Sequence, residues 1–208
     1  VCVSKVNFQD DPAEVRFDRA ARFYDTFNCF MERFASKQRK EILRQATGNI
    51  LEVGVGTGSS FKDYSPNERI VAVDISREML YRAEEKLKNY TGKIELRRED
   101  VQNLSFKDET FDTIFTSWVF CSVTDPVKGL TEVLRVLKKD GKLLMLEHVK
   151  SKNKMLGYLM DKLNPLIIRF GTGNINRDTI ENLRKAGFKI KQERNIVYDV
   201  VKVIVAAK

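Results

Sequence analysis

The 208-residue sequence holds one histidine, one tryptophan, three cysteines and four prolines. Each scarcity excludes something. With His148 alone and no Cys-x-x-Cys pair, the usual zinc sites cannot be assembled. A serine–histidine–aspartate triad would have to use His148, and no Gly-x-Ser-x-Gly turn accompanies it. Cys2, Cys29 and Cys121 lie far apart, which reads as reduced thiols rather than a disulfide frame. No apolar run approaches the roughly 18 residues of a membrane-spanning helix. No basic, apolar and cleavable leader opens the sequence, so the expectation is a cytoplasmic chain. Internal repeats and low-complexity stretches are also missing.

What remains is ordinary globular material, 42% apolar and 32% charged. The length predicts a single domain over 1–208, large enough to bury roughly 70% of its unfolded surface. The net charge of +8 is unevenly spread: +2 over residues 1–48, −3 over 49–137 and +9 over 138–208. A basic final third can face nucleic acid, anionic lipid or an acidic substrate, or simply be a lysine-rich solvated surface.

From Asn49 onward, short apolar runs alternate with helical patterns. Strands are predicted at 50–53, 70–73, 93–98, 111–116 and 142–149. Ser76 caps a helix to about Lys88, Asp125-Pro126 opens another, and Asp140-Gly141 forms a turn before the fifth strand. Asp178 with Glu181 reads as a capping box, and Gly187 ends that helix. Residues 189–194 and 197–206 read as a closing hairpin broken at Asn195, with one strand antiparallel at the sheet edge. The repetition implies an α/β fold, a largely parallel sheet with helices on both faces. Two segments stand outside it. Residues 1–48 form an N-terminal helical cap, with Phe17, Ala20, Tyr24, Phe27, Met31 and Phe34 at helical spacing. Residues 151–175, from Met155 to Phe170 rich in apolar side chains, are an inserted lid.

The informative motif is Glu52-Val53-Gly54-Val55-Gly56-Thr57-Gly58-Ser59, placed after a strand. Its glycines allow a sharp bend against which a ligand can lie. The spacing departs from the dinucleotide fingerprint, and Ser59 and Glu52 argue against a nicotinamide oxidoreductase. A phosphate loop is excluded because no Gly-Lys-Ser/Thr is present. Glu52 before the glycines would repel pyrophosphate but suits an ammonium group. Asp74 ends the second strand, where a carboxylate can grip ribose hydroxyls. Asp100 follows the third, placed to accept from an adenine amine, with the Val101 amide beside it. An amino acid head, a ribose and an adenine together describe S-adenosylmethionine.

On these residues the chain resembles the class I S-adenosylmethionine-dependent methyltransferases. The likeness rests on Leu51 to Gly58, Val73-Asp74-Ile75-Ser76, Met79-Leu80, Glu99-Asp100-Val101, Phe111-Asp112 and Leu134 to Gly141. It implies a Rossmann-like, doubly wound seven-stranded sheet of order 3-2-1-4-5-7-6 with strand seven antiparallel. The cofactor would be S-adenosylmethionine, the product S-adenosylhomocysteine, and no metal would be needed. The implied cofactor-binding set is Glu52, Gly54, Gly56, Thr57, Gly58, Asp74, Ile75, Met79, Asp100, Val101, Ser117 and Trp118.

Finer likenesses diverge. Tyr24 to Asn28 resembles a segment of the UbiE-like quinone C-methyltransferases, and Val53 to Gly58 is similar to bacterial phosphatidylethanolamine N-methyltransferases. Phe120 to Val123 with Leu146 to Val149 resembles membrane-associated enzymes that alkylate thiols. All share small, often lipophilic acceptors. The expected function is therefore methyl transfer to such an acceptor, at the cytoplasmic face of an anionic membrane. His148 is the candidate base and Tyr24 a second catalytic candidate reaching from the cap. The alternatives are a nucleic-acid or protein methyltransferase and a protein that holds the cofactor without turnover. Ser117-Trp118-Val119-Phe120 lacks the prolines of enzymes that methylate base amines, so nucleic acid is disfavoured as a partner.

Overall fold

The computed structural model describes residues 11–170 and 173–208; the side chains of residues 22–34, 169 and 170 lie outside the description. Cys2 and the side chains of Tyr24, Phe27, Cys29, Met31, Phe34 and Phe170 therefore fall outside the description.

Local chemistry starts each element. The Asp11 carboxylate accepts from the Ala13 amide at 2.7 Å and Pro12 follows, which opens α1 (Pro12–Leu43). Gly48, at φ 72°, turns the chain into β1 (Asn49–Val53). A 3-10 turn, Phe61–Asp63, leads to β2 (Arg69–Asp74), and Ser76 caps α2 (Arg77–Leu87). β3 (Lys93–Arg98) and β4 (Phe111–Ser117) follow. Asp125 caps α3 (Pro126–Val136), which runs into β5 (Leu137–His148). α4 (Lys154–Phe170), α5 (Thr179–Lys185), β6 (Lys189–Val197) and β7 (Val201–Ala207) complete the order.

The seven strands lie in the order β3-β2-β1-β4-β5-β7-β6. β3 through β5 pair in parallel, while β7 is antiparallel to both β5 and β6. Two apolar layers sandwich the sheet. Leu51 and Val53 pack with Leu130 and Val133 of α3 and with Leu183 of α5. Ile50 and Ala72 pack with Ile42 of α1 and Ala83 of α2. Burial on both faces is what a parallel strand requires, and it explains the unbroken apolar runs.

Three local expectations are corrected. The antiparallel strand is not at the edge: β7 is inserted beside β5, and β6 takes the edge. The burial of Val201, Val203, Ile204 and Ala206 explains that choice, because β6 is largely exposed. Asn195 does not break the hairpin but pairs with Lys202; the reversal comes at Tyr198, at φ 48°. Asp140-Gly141 does not precede β5 but lies within it. Leu137 pairs with Phe111 and Lys142 with Thr113, so the intervening residues bulge out.

Candidate active site

The carboxyl ends of β1, β2, β3 and β4 surround one cleft of about 700 Å³, part of it open to solvent. This is where an open parallel sheet places its ligand, beside the point where the strand order reverses. Gly54, Gly56, Asp74, Ile75, Met79, Asp100, Val101, Ser117 and Trp118 all line it.

The bend after β1 holds two glycines for different reasons. At Gly54, φ is 69° and a Cβ would come within 2.4 Å of Val119, so the post-β4 loop closes directly onto backbone. At Gly56, φ is 55° and a Cβ would meet nothing within 4 Å. The bend therefore faces open space, and a ligand can lie against its main chain. The Gly56 amide donates to Asp74 Oδ2 at 2.8 Å, and the Ser76 amide donates to Asp74 Oδ1 at 3.0 Å. Burial raises the Asp74 pKa to about 6, against the lowering pull of those amides. The carboxylate is thus fixed between the bend and the start of α2, with lone pairs left for further donors.

Asp100 is fixed by its neighbour but one. Asp100 Oδ1 accepts from the Gln102 amide at 2.8 Å and from Gln102 Nε2 at 3.1 Å. Gln102 Nε2 also reaches Asp11 Oδ2 at 3.2 Å, and Gln102 Oε1 accepts from the Asp125 amide at 2.9 Å. One side chain thereby joins the cleft wall to the starts of α1 and α3.

The fourth wall is more loosely bonded. Ser117 Oγ is buried without a hydrogen-bond partner. Trp118 holds a positive φ of 60°, and its amide donates to the Leu146 carbonyl at 2.9 Å. Behind it Glu147 is fully buried. Its Oε1 accepts from Thr116 Oγ1 at 3.2 Å, from the Val119 amide at 3.0 Å and from the Phe120 amide at 3.2 Å. Burial pushes the Glu147 pKa up to about 7. The Cys121 thiol is pushed up to about 12, by burial first and then by the nearby Glu147 charge, so it is no thiolate nucleophile.

Several expected residues are not on the cleft wall. Glu52 lies behind the bend, buried, with Ser60 Oγ donating to its Oε2 at 2.9 Å. Burial raises its pKa to about 7, against the lowering pull of the Ser60 hydroxyl. Thr57 is buried and accepts from Lys86 Nζ at 2.9 Å. Gly58 makes room for Phe61, whose ring would lie 2.4 Å from a Cβ there. These three shape the bend. His148 stands at the end of β5, half-buried, with Nδ1 unpartnered and its pKa lowered by burial. It is not among the residues that line the cleft. Tyr24 falls on α1, where its side chain is outside the described residues.

The start of α1 was missed as part of the site. Asp11, Ala13 and Phe17 line the cleft. Thr124 Oγ1 donates to Asp11 Oδ1 at 3.1 Å, Glu14 pairs with Arg98, and Ser76 Oγ donates to Asp18. The Asp11-Pro12 pair marks a helix start in the sequence as clearly as Asp125-Pro126 does, but a cap signal does not say where the helix docks. Glu99 and Gln102, adjacent to the expected Asp100-Val101, also line the wall. Among the described residues no cluster of histidine, cysteine or acid side chains could hold a metal ion.

Comparison with known proteins fits this geometry. A family described as "Methyltransferase domain" matches residues 51–145. A phosphatidylethanolamine N-methyltransferase of Cereibacter sphaeroides is 40% identical over 103 residues, 49% of this chain and 51% of that protein. A ubiquinone/menaquinone biosynthesis C-methyltransferase UbiE of Saccharophagus degradans is 31% identical over 165 residues, 73% of this chain and 66% of that protein. The chain thus spans about half the length of the first and just under two thirds of the second. A SAM-dependent methyltransferase of Thermotoga maritima superposes with a TM-score of 0.70 at 23% identity, covering 92% of this chain and 98% of that one. That last likeness speaks to the fold.

Proposed function

This chain belongs to the class I S-adenosylmethionine-dependent methyltransferases, and from that premise we propose that it transfers the cofactor's methyl group to a small, lipophilic acceptor. The observation that carries the cofactor reading is the Asp74–Gly56 pair: a buried carboxylate clamped to a bend whose outer side is open space. When bound, S-adenosylmethionine supplies an electrophilic methyl group on a positively charged sulfur. Asp74 would accept from the ribose hydroxyls, and Asp100 with the Val101 amide would hold the adenine. The backbone at Gly54 and Gly56 would hold the amino acid arm. Ser117 Oγ, buried and unpartnered, is available to bond the ligand, and Trp118 packs beside it.

The chain's main task is orientation in a dry site, which can contribute about 7–11 kcal/mol to such a displacement. The start of α1 serves as the cap, supported by its bonds to the loops after β2, β3 and β4. The inserted segment that carries α4 is proposed as the lid on the acceptor side. His148 is the proposed base: its lowered pKa keeps the imidazole neutral, ready to take a proton at a ring nitrogen. Tyr24 is proposed to close the acceptor side from α1. The names of the two relatives agree in pointing to lipids while differing in the atom methylated. Such an acceptor would be collected at a membrane surface.

The test is incubation with methyl-labelled cofactor and a cell extract, followed by partition into lipid, protein, nucleic acid and aqueous fractions. Label in the lipid fraction is expected. Label confined to protein or nucleic acid, or none transferred despite cofactor binding, overturns the acceptor reading.

A further inference from the structure

Helix α4 is built inside out. Its buried positions are Gly157, Met160 and Asn164, one small, one flexible and one polar residue. The large apolar side chains face solvent instead: Met155 is 82% exposed, Tyr158 63%, Leu159 51%, Leu163 41% and Leu166 56%. Spacings of three and four residues put these five on one stripe.

Rolling the helix to hide that stripe is prevented by specific bonds on the inner side. Asn164 Oδ1 accepts from the Ile175 amide at 2.9 Å, and Asn164 Nδ2 donates to Asn174 Oδ1 at 3.2 Å. Asn174 in turn donates through its amide to the Cys121 carbonyl at 2.9 Å. At Gly157 a Cβ would sit 2.9 Å from the Ser151 carbonyl, so only glycine allows this close approach. The outward stripe is therefore held in place, and a contiguous apolar surface of this kind marks a contact site.

The surroundings select the partner. Lys152, Lys154 and Lys162 are exposed around the stripe, with Lys162 Nζ 5.5 Å from the centre of the Tyr158 ring. Over residues 150–168 the only acid is Asp161, and it is paired with Lys150 at 2.7 Å. A second copy docked through this face would set lysines against lysines, which costs affinity. No helix among the described residues is long and apolar enough to cross a membrane. An amphipathic helix with a leucine, methionine and tyrosine face and a lysine border lies instead in the plane of anionic headgroups.

We propose that the outer face of α4 docks this protein on an anionic lipid surface, with Met155, Leu159, Leu163 and Leu166 entering the headgroup boundary and Lys152, Lys154 and Lys162 pairing with lipid phosphates. The Asn164–Asn174–Cys121 chain of hydrogen bonds ties that face to the post-β4 loop, which lines the cleft. Docking therefore brings the acceptor side to the lipid; this consequence rests on the lipophilic-acceptor reading, while the docking does not.

The experiment is flotation of the full chain with phosphatidylcholine vesicles and with vesicles that also contain phosphatidylglycerol. The wild type is expected to float with the anionic vesicles only, and added salt should release it. The double substitution Leu159→Glu, Leu163→Glu and the triple substitution Lys152→Glu, Lys154→Glu, Lys162→Glu should each weaken binding by about tenfold or more. Calorimetry with S-adenosylmethionine on the same proteins should show unchanged affinity. If the leucine variant does not fold, the lysine variant, altered only at exposed positions, decides. No flotation with either vesicle, or equal flotation of all variants, overturns the proposal. So does a sedimenting dimer that the leucine variant dissociates while vesicles go unbound. A wild type that floats but binds no cofactor leaves the docking standing and removes the methyl-transfer reading.

Discussion

The two ends of the cleft are built in opposite ways. At the β1–β3 end each acid is already bonded: Asp74 holds two amides, and Asp100 is bracketed by Gln102. At the β4 end Ser117 Oγ is buried without a partner, and so, behind the cleft wall, are His148 Nδ1 and one oxygen of Glu147. Leaving a buried polar atom unpaired costs about 1–3 kcal/mol, so such atoms need a reason to persist. The contrast teaches a division of labour. On the proposed reading the bonded end is a mould for the cofactor. On the same reading the unpaired end keeps Ser117 for the cofactor and His148 for the acceptor, and it is the end tied to α4.

That contrast can be broken from either side. The largest effect is expected at the unpaired end. His148→Ala should slow turnover by about a hundredfold or more if the acceptor must lose a proton, with cofactor affinity nearly intact. Turnover assays with parallel calorimetry check this; unchanged turnover removes His148 from the chemistry. Next comes the bonded end. Gly54→Val adds a side chain at positive φ into Val119, and should lower stability by about 2–4 kcal/mol in denaturant titration. Full stability would mean that the post-β4 loop does not close on that bend. A smaller effect is expected from pH. The Asp74 carboxyl titrates at about 6 in the folded protein, and its charged form accepts the ligand hydroxyls. Cofactor affinity should therefore be full above that value and fall as pH drops through it, by up to about tenfold per unit. In Asp74→Asn this pH dependence should vanish.

The same division governs how much could be read from the sequence. Gly54, Gly56, Asp74, Asp100 and Val101 were legible because bend geometry and strand ends fix where their atoms point. The strand order followed from family resemblance, whereas residue patterns alone put the antiparallel strand at the edge. The burial of Glu52 behind the bend, with Ser60 bonded to it, was not legible, because strand alternation sends its side chain to one face without saying what packs there. The Asp11 cap marked a helix but not its landing place over the cleft. The segment that forms α4 was legible only as an apolar insertion, neither as a helix nor as a face with a direction. The direction is set by Asn164 and Gly157, whose inward roles come from partners distant in sequence.

The central claim is that the bonded end is a mould for S-adenosylmethionine with Asp74 at its centre. Titration calorimetry of that compound against the wild type and against Asp74→Ala tests it most directly. The account predicts one site per chain in the wild type and affinity weaker by about 30-fold or more, about 2 kcal/mol, in the variant. No heat of binding in the wild type, or equal affinity in both proteins, would contradict it.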